Sequence, residues 1–139
     1  MPMTDVDSND ALRANAAGDR AKEAAVEALI RLFGGRFARP GNPWIQHEDG
    51  AWWVEWEQIT DEATGALSGG ERRVLAILQD LAIGPLSQLN GGVDHGVAAI
   101  LLSAIEHAAG AGTPTTTIVA DGRFETITRP QHYPWPEGK

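Results

Sequence analysis

No cysteine occurs in the 139 residues, which excludes disulfides and thiolate metal sites. Lysine is nearly absent as well, at Lys22 and Lys139 alone. Neither lies in a G-x-x-x-x-G-K pattern, so no phosphate-binding loop of the P-loop kind is present. Between Arg39 and Arg72 there is no Lys or Arg, and a second base-free interval runs from Val74 to Gly122. Nucleic-acid binding depends on Lys and Arg neutralising phosphates, and the middle of this chain would repel a polyanion. Anionic membrane surfaces are disfavoured for the same reason. The longest apolar run, Val97 to Leu102, is far short of the roughly 20 residues of a spanning helix. The first ten residues lack the basic start and apolar stretch of a signal peptide, so the expected compartment is the cytoplasm.

What the chain does have is acid. Nineteen Asp and Glu face eleven Lys and Arg, for a net charge of −8. Glu48, Asp49, Glu55, Glu57, Asp61, Glu62 and Glu71 all lie in the first base-free interval. The length suits one domain. The expected organisation is a disordered leader at 1–9, a single domain at 10–128 and an extended Pro-rich tail at 129–139. Tyr133 and Trp135 are the residues suited to pin that tail to the body.

The periodicities predict an α+β fold with three helices and two β-hairpins in two layers. A long helix capped by Asp10 would bury Val26, Leu29, Ile30 and Phe33 and stop at Gly34–Gly35. A second would bury Val74, Leu75, Leu78, Leu81 and Ala82. A third, capped by Asp94, carries the cleanest amphipathic stripe in the chain: Val97, Ile100, Leu101, Ala104, Ile105 and Ala108. Asp49–Gly50 joins Trp44–Glu48 to Ala51–Ile59 as a type I′ hairpin. That register sets Ile45 opposite Val54 and His47 opposite Trp52. Ile45, His47, Trp52, Val54 and Trp56 then share the core face, with Trp53, Glu55 and Glu57 on the other. A buried Trp is worth roughly 4–6 kcal/mol gross, so Trp52 and Trp56 should dominate this layer. Asp121–Gly122 signals a second hairpin, with Val119 opposite Phe124 and Ile118 opposite Glu125.

Two resemblances attach to the middle of the chain. Leu67-Ser68-Gly69-Gly70-Glu71 resembles the signature motif of ABC-type ATPases, where a serine and glycines at a helix N-terminus meet a nucleotide phosphate. The likeness spans five residues and lacks its P-loop, so the residues read as a capping box. The longer run Gly65-Ala66-Leu67-Ser68-Gly69-Gly70-Glu71-Arg72-Arg73-Val74-Leu75-Ala76-Ile77, with Glu106-His107-Ala108-Ala109-Gly110, is similar to small proteins of actinobacteria and their phages that carry no assigned activity. It covers about half the chain, at residues 60–125. The resemblance implies such a source and transfers no site.

The chemistry-bearing residues form no motif. His47, Glu48 and Asp49 are adjacent, but strand neighbours point to opposite faces and cannot easily share an ion. Asp94 and His95 fit a helix cap. Ser68 with His47, His95 or His107 would make a small hydrolase, but no nucleophile elbow is present. Glu55 and Glu57 share a strand face as a glycosidase pair would, without a predicted cleft. No metal, cofactor or catalytic residue is therefore expected. The expected role is a non-enzymatic protein-binding or accessory protein. Its binding residues would be Trp53, Glu55, Glu57, Glu48, Asp49 and Asp61, facing a basic partner. The alternatives are the Ser68 hydrolase and a structural or virion subunit that self-associates through its hairpin edges.

Overall fold

The computed structural model describes residues 5–111, 114–118, 121–128 and 130–136. The chain is α+β. Its helices are α1 (Asp5–Ala16), α2 (Arg20–Arg31), α3 (Gly69–Ile83) and α4 (His95–Ala108); its strands are β1 (Ile45–Glu48), β2 (Ala51–Val54), β3 (Pro114–Ile118) and β4 (Phe124–Thr128). The strands form two separate antiparallel hairpins. Two compact units result, Met1–Gly92 and Val93–Lys139. The single body expected over 10–128 is thus divided after Gly92. Each unit is described by itself.

In the first unit the long helix expected from Asp10 is two helices. Gly18 adopts φ +101°, and Asp19 caps α2 by accepting from the Lys22 N–H at 3.1 Å. A local cap of this kind outcompetes continuation through a glycine. Asp10 is no cap; it lies within α1 and pairs with Arg13 at 2.9 Å. Asp5 to Asn9, expected in the leader, are helical. Phe33 also departs from expectation. α2 ends at Arg31, and Phe33 takes φ +52° in the turn that follows. Its ring stays outside the core and meets Phe37 edge-on at 5.5 Å.

The first hairpin keeps its predicted register, with Ile45 opposite Val54 and His47 opposite Trp52. Asp49 and Gly50 have φ +51° and +81°, the paired positive values a type I′ turn demands. β2 is shorter than expected, because Trp56–Gln58 winds into a 3-10 turn. Trp56 nonetheless reaches the core, together with Ile45, Trp52 and Val54. His47 is exposed and stacks on Trp52 at 4.4 Å.

Trp44, just before β1, is the largest of the most deeply buried side chains. Its Nε1 donates to the Phe37 carbonyl at 2.8 Å, and its own carbonyl accepts from the Glu55 N–H at 2.7 Å. Around the aromatics pack Leu12 of α1, Val26 and Leu29 of α2, and Leu75, Leu78 and Ala82 of α3. α1 lies against β2, and α2 lies against both α1 and α3. Gln79 of α3 donates to the carbonyls of Trp56 and Ile59 at 2.7 and 2.9 Å, fixing the hairpin exit. Asn90 bridges back to α2, donating to Asp19 and accepting from the Ala21 N–H at 2.7 Å.

The second unit is sparser. Asp94 caps α4 as expected, accepting from the Gly96 N–H at 2.8 Å. The stripe on α4 is not buried: Val97, Ile100, Leu101 and Ile105 are exposed. The one buried side chain of α4 is Ser103, whose hydroxyl donates to the Pro134 carbonyl at 3.0 Å. Glu106 accepts from the His132 and Tyr133 amides at 2.7 Å. The tail is therefore held mainly through its backbone. Trp135 lies 6.1 Å from His107, and both Tyr133 and Trp135 stay half in solvent.

The second hairpin pairs Ile118 with Phe124 and Thr117 with Glu125, one residue away from the expected register. Gly122 has φ +81°, and Asp121 accepts from the Arg123 N–H at 3.2 Å. The connection therefore holds an odd number of residues, and a one-residue slip exchanges the two faces of the hairpin. Val119 lies outside the described residues.

Candidate functional site

The six residues expected to form one acidic face are split into three settings, all in the first unit. Glu48 and Asp49 stand exposed at the hairpin tip. They are there because the type I′ turn must sit at Asp49–Gly50, which leaves no cover for the carboxylates. Asp61 follows the hairpin, fully exposed, with Arg72 of α3 at 3.9 Å. An exposed pair at that distance contributes about 0–1 kcal/mol.

Trp53, Glu55 and Glu57 gather at the base of the hairpin. Trp53 lies across from Gln46 and is half-buried rather than a free anchor. Its Nε1 donates to Glu55 Oε2 at 3.3 Å. These residues line a cavity of about 180 Å³ with Leu12, Val26 and Lys22. Burial of Trp53 follows from α1 packing on β2, which covers part of the face the alternation assigned to solvent. Lys22 brings a base into the set; its place on α2 is far upstream of the hairpin in the chain, so strand patterning could not reveal it. Glu57 sits in the 3-10 turn rather than on the strand. Its carboxyl is held below the ordinary value, first by a hydrogen bond with the Glu55 carboxyl, then by its own backbone N–H and the charge of Lys22. The shared strand face expected for Glu55 and Glu57 is not formed, because β2 ends at Val54 and Glu57 lies in the turn.

A larger depression, about 610 Å³, lies between α1 and α2. The Arg13–Glu27 ion pair, at 3.1 Å, crosses it. It is an open surface groove rather than a cleft for chemistry.

Ser68 is occupied structurally. Its hydroxyl accepts from the Glu71 N–H at 3.2 Å, and Glu71 accepts from the Ser68 N–H at 3.0 Å. This is the reciprocal capping box. Glu71 also pairs with Arg36. The Glu71 carboxyl is held below its ordinary range, first by the Ser68 amide and hydroxyl and then by Arg36. Among the described residues no histidine hydrogen-bonds Ser68, and no cluster of three or more His, Asp or Glu could hold a metal. No helix among them is long and apolar enough to cross a membrane.

Comparison with protein-family models, with curated proteins and with solved structures returns no significant match.

Proposed function

We propose that this chain is a non-enzymatic protein-binding or accessory protein of the cytoplasm that docks a basic partner through the acidic side of its first hairpin. The observation that carries the reading is the hairpin tip. Glu48 and Asp49 are thrust into solvent by a turn whose backbone is fixed by positive φ at both central residues. Asp61 and Glu62 are exposed further along the chain. In a two-layer arrangement the helices cover the Trp52 and Trp56 side and leave these carboxylates outward. Charge of one sign on a rigid element speeds association with a basic surface and fixes its orientation. Trp53 acts here as a support: by holding Glu55 it orients the carboxylate pair at the base. The same acidity would exclude nucleic acid and let the protein compete with it for a basic partner. An actinobacterial or phage source follows from the resemblance in the Gly65–Ile77 segment.

Fluorescence anisotropy with a labelled Lys/Arg-rich peptide tests this. Affinity should fall steeply as salt rises, and a Glu48→Lys/Asp49→Lys variant should weaken binding by about tenfold or more. Equal affinity for the variant and the wild type would contradict the proposed face.

A further inference from the structure

The cavity at the base of the first hairpin is enclosed by several elements. It measures about 180 Å³, room for about six waters at ~30 Å³ each. Helices α1 and α2, the hairpin exit and the end of α3 all contribute to its wall, and every lining residue belongs to the first unit. Leu12, Val26 and Val54 are buried and form its apolar lining. Asn15, Lys22, Glu55 and Glu57 supply its polar groups.

The polar lining carries both signs of charge, on different elements. At the hairpin exit the Glu55 and Glu57 carboxyls hydrogen-bond each other, and Trp53 Nε1 donates to Glu55 Oε2 at 3.3 Å. Two ionised carboxylates at that range repel unless a proton or a cation lies between them. An ammonium group, a donor with no acceptor, can serve both at once. The opposite charge comes from Lys22 on α2, which is partly buried. Its charge acts on Glu57, yet among the described residues its ammonium forms no ion pair. Asp19, the other carboxylate within its influence, is committed to the Lys22 amide and to Asn90. A partly buried ammonium without a partner gains from an anion beside it.

We infer that this cavity binds a small aliphatic amino acid as its zwitterion. The ligand's ammonium lies against Glu55 and Glu57, its carboxylate against Lys22 and the Asn15 amide, and its methyl or isopropyl group against Leu12, Val26 and Val54. A bare amine would leave Lys22 without a partner, and a bare carboxylate would leave the two glutamates facing each other. The volume excludes aromatic and long basic side chains. The site shares no residue with the hairpin tip and stands or falls apart from it. A ligand of about six to eight non-hydrogen atoms should bind with a dissociation constant on the order of 0.1–1 mM.

Alanine and valine titrated into the isotope-labelled full chain test this, with the Trp53 indole N–H signal as reporter because that group donates to Glu55. Both amino acids should move the signal saturably. Ethylamine and propionate each keep one of alanine's two charges, and each should bind the unaltered protein at least about tenfold more weakly. Lys22→Met and Glu57→Gln nearly preserve side-chain size, and each should weaken alanine and valine by about tenfold or more, with unchanged helicity by circular dichroism. No saturable shift with either amino acid up to about 20 mM, ethylamine or propionate binding as tightly as alanine, or a folded Lys22→Met variant binding like the wild type would each overturn the inference.

Discussion

Two apolar patterns in this chain look equally regular, and only one is covered. Around the first hairpin, Trp44, Trp52 and Trp56 are enclosed by α1, α2 and α3. Along α4 the cleaner stripe meets solvent. The difference lies in what each unit can supply. The first unit brings three helices against one short hairpin. The second has one helix, one β-branched hairpin and a tail attached by backbone amides. A unit of that size buries too small a share of its surface to be stable without help. Periodicity therefore reports that a face wants cover; it does not report what covers it.

The sharpest way to break this contrast is to make matched truncations in the two regions. Trp44→Ala removes a 2%-exposed side chain and its bond to the Phe37 carbonyl, and should cost the first unit about 3–5 kcal/mol. Trp135→Ala, at 52% exposed, should change stability by less than about 0.5 kcal/mol. Urea titration of both variants decides between them; comparable losses would mean that the second unit has a core of its own. The same logic applies with chemistry held fixed. Leu75→Ala, in α3, should cost about 2–5 kcal/mol, whereas Leu101→Ala, in α4, should leave the melting of dilute protein nearly unchanged.

A smaller effect separates structure from catalysis at Ser68. Ser68→Ala should lower stability by about 1 kcal/mol through loss of the α3 cap. The variant and the wild type should behave alike on an ester and phosphoester panel; a hydrolysis rate that vanishes with Ser68 would restore the hydrolase reading.

The mildest effect is pH dependence. Four carboxyls of the first unit are held below their ordinary values: Asp19 by the Lys22 amide and Asn90, Glu27 by Arg13 and Arg31, Glu57 by Glu55 and its own backbone amide, and Glu71 by Ser68 and Arg36. A carboxyl depressed on folding adds stability above its unfolded value and loses that contribution as pH falls through its folded one. With ordinary values of 3.8 for Asp and 4.5 for Glu, melting of the first unit should decline below about pH 4.5. Glu71→Gln should flatten part of that acid limb.

Much of the first unit was legible in the sequence. Asp49–Gly50 set the hairpin register because that dipeptide tolerates positive φ where few others do. Ser68 and Glu71 marked the start of α3 through a reciprocal pair of bonds, and Leu75, Leu78 and Ala82 faced inward as their spacing required. Reading failed where tertiary structure decided between local options. Alanine-rich sequence on both sides masked the break at Gly18, where φ turns positive and Asp19 caps a new helix. Phe33 matched the buried period of α2, but the helix ended two residues before it. Trp53 alternated toward solvent and was half-covered by α1, a contact between segments far apart in the chain. The acidic set was legible as a composition and not as a place, because the 3-10 turn after β2 takes Glu57 off the strand face it was assigned. Ile118 slipped by one position since Gly122 closes an odd-numbered loop.

Amide hydrogen exchange addresses the contrast directly. The amides of Ile100 to Ile105 should exchange far faster than those of Leu75 to Leu78. Equal protection of the two helices would contradict the account.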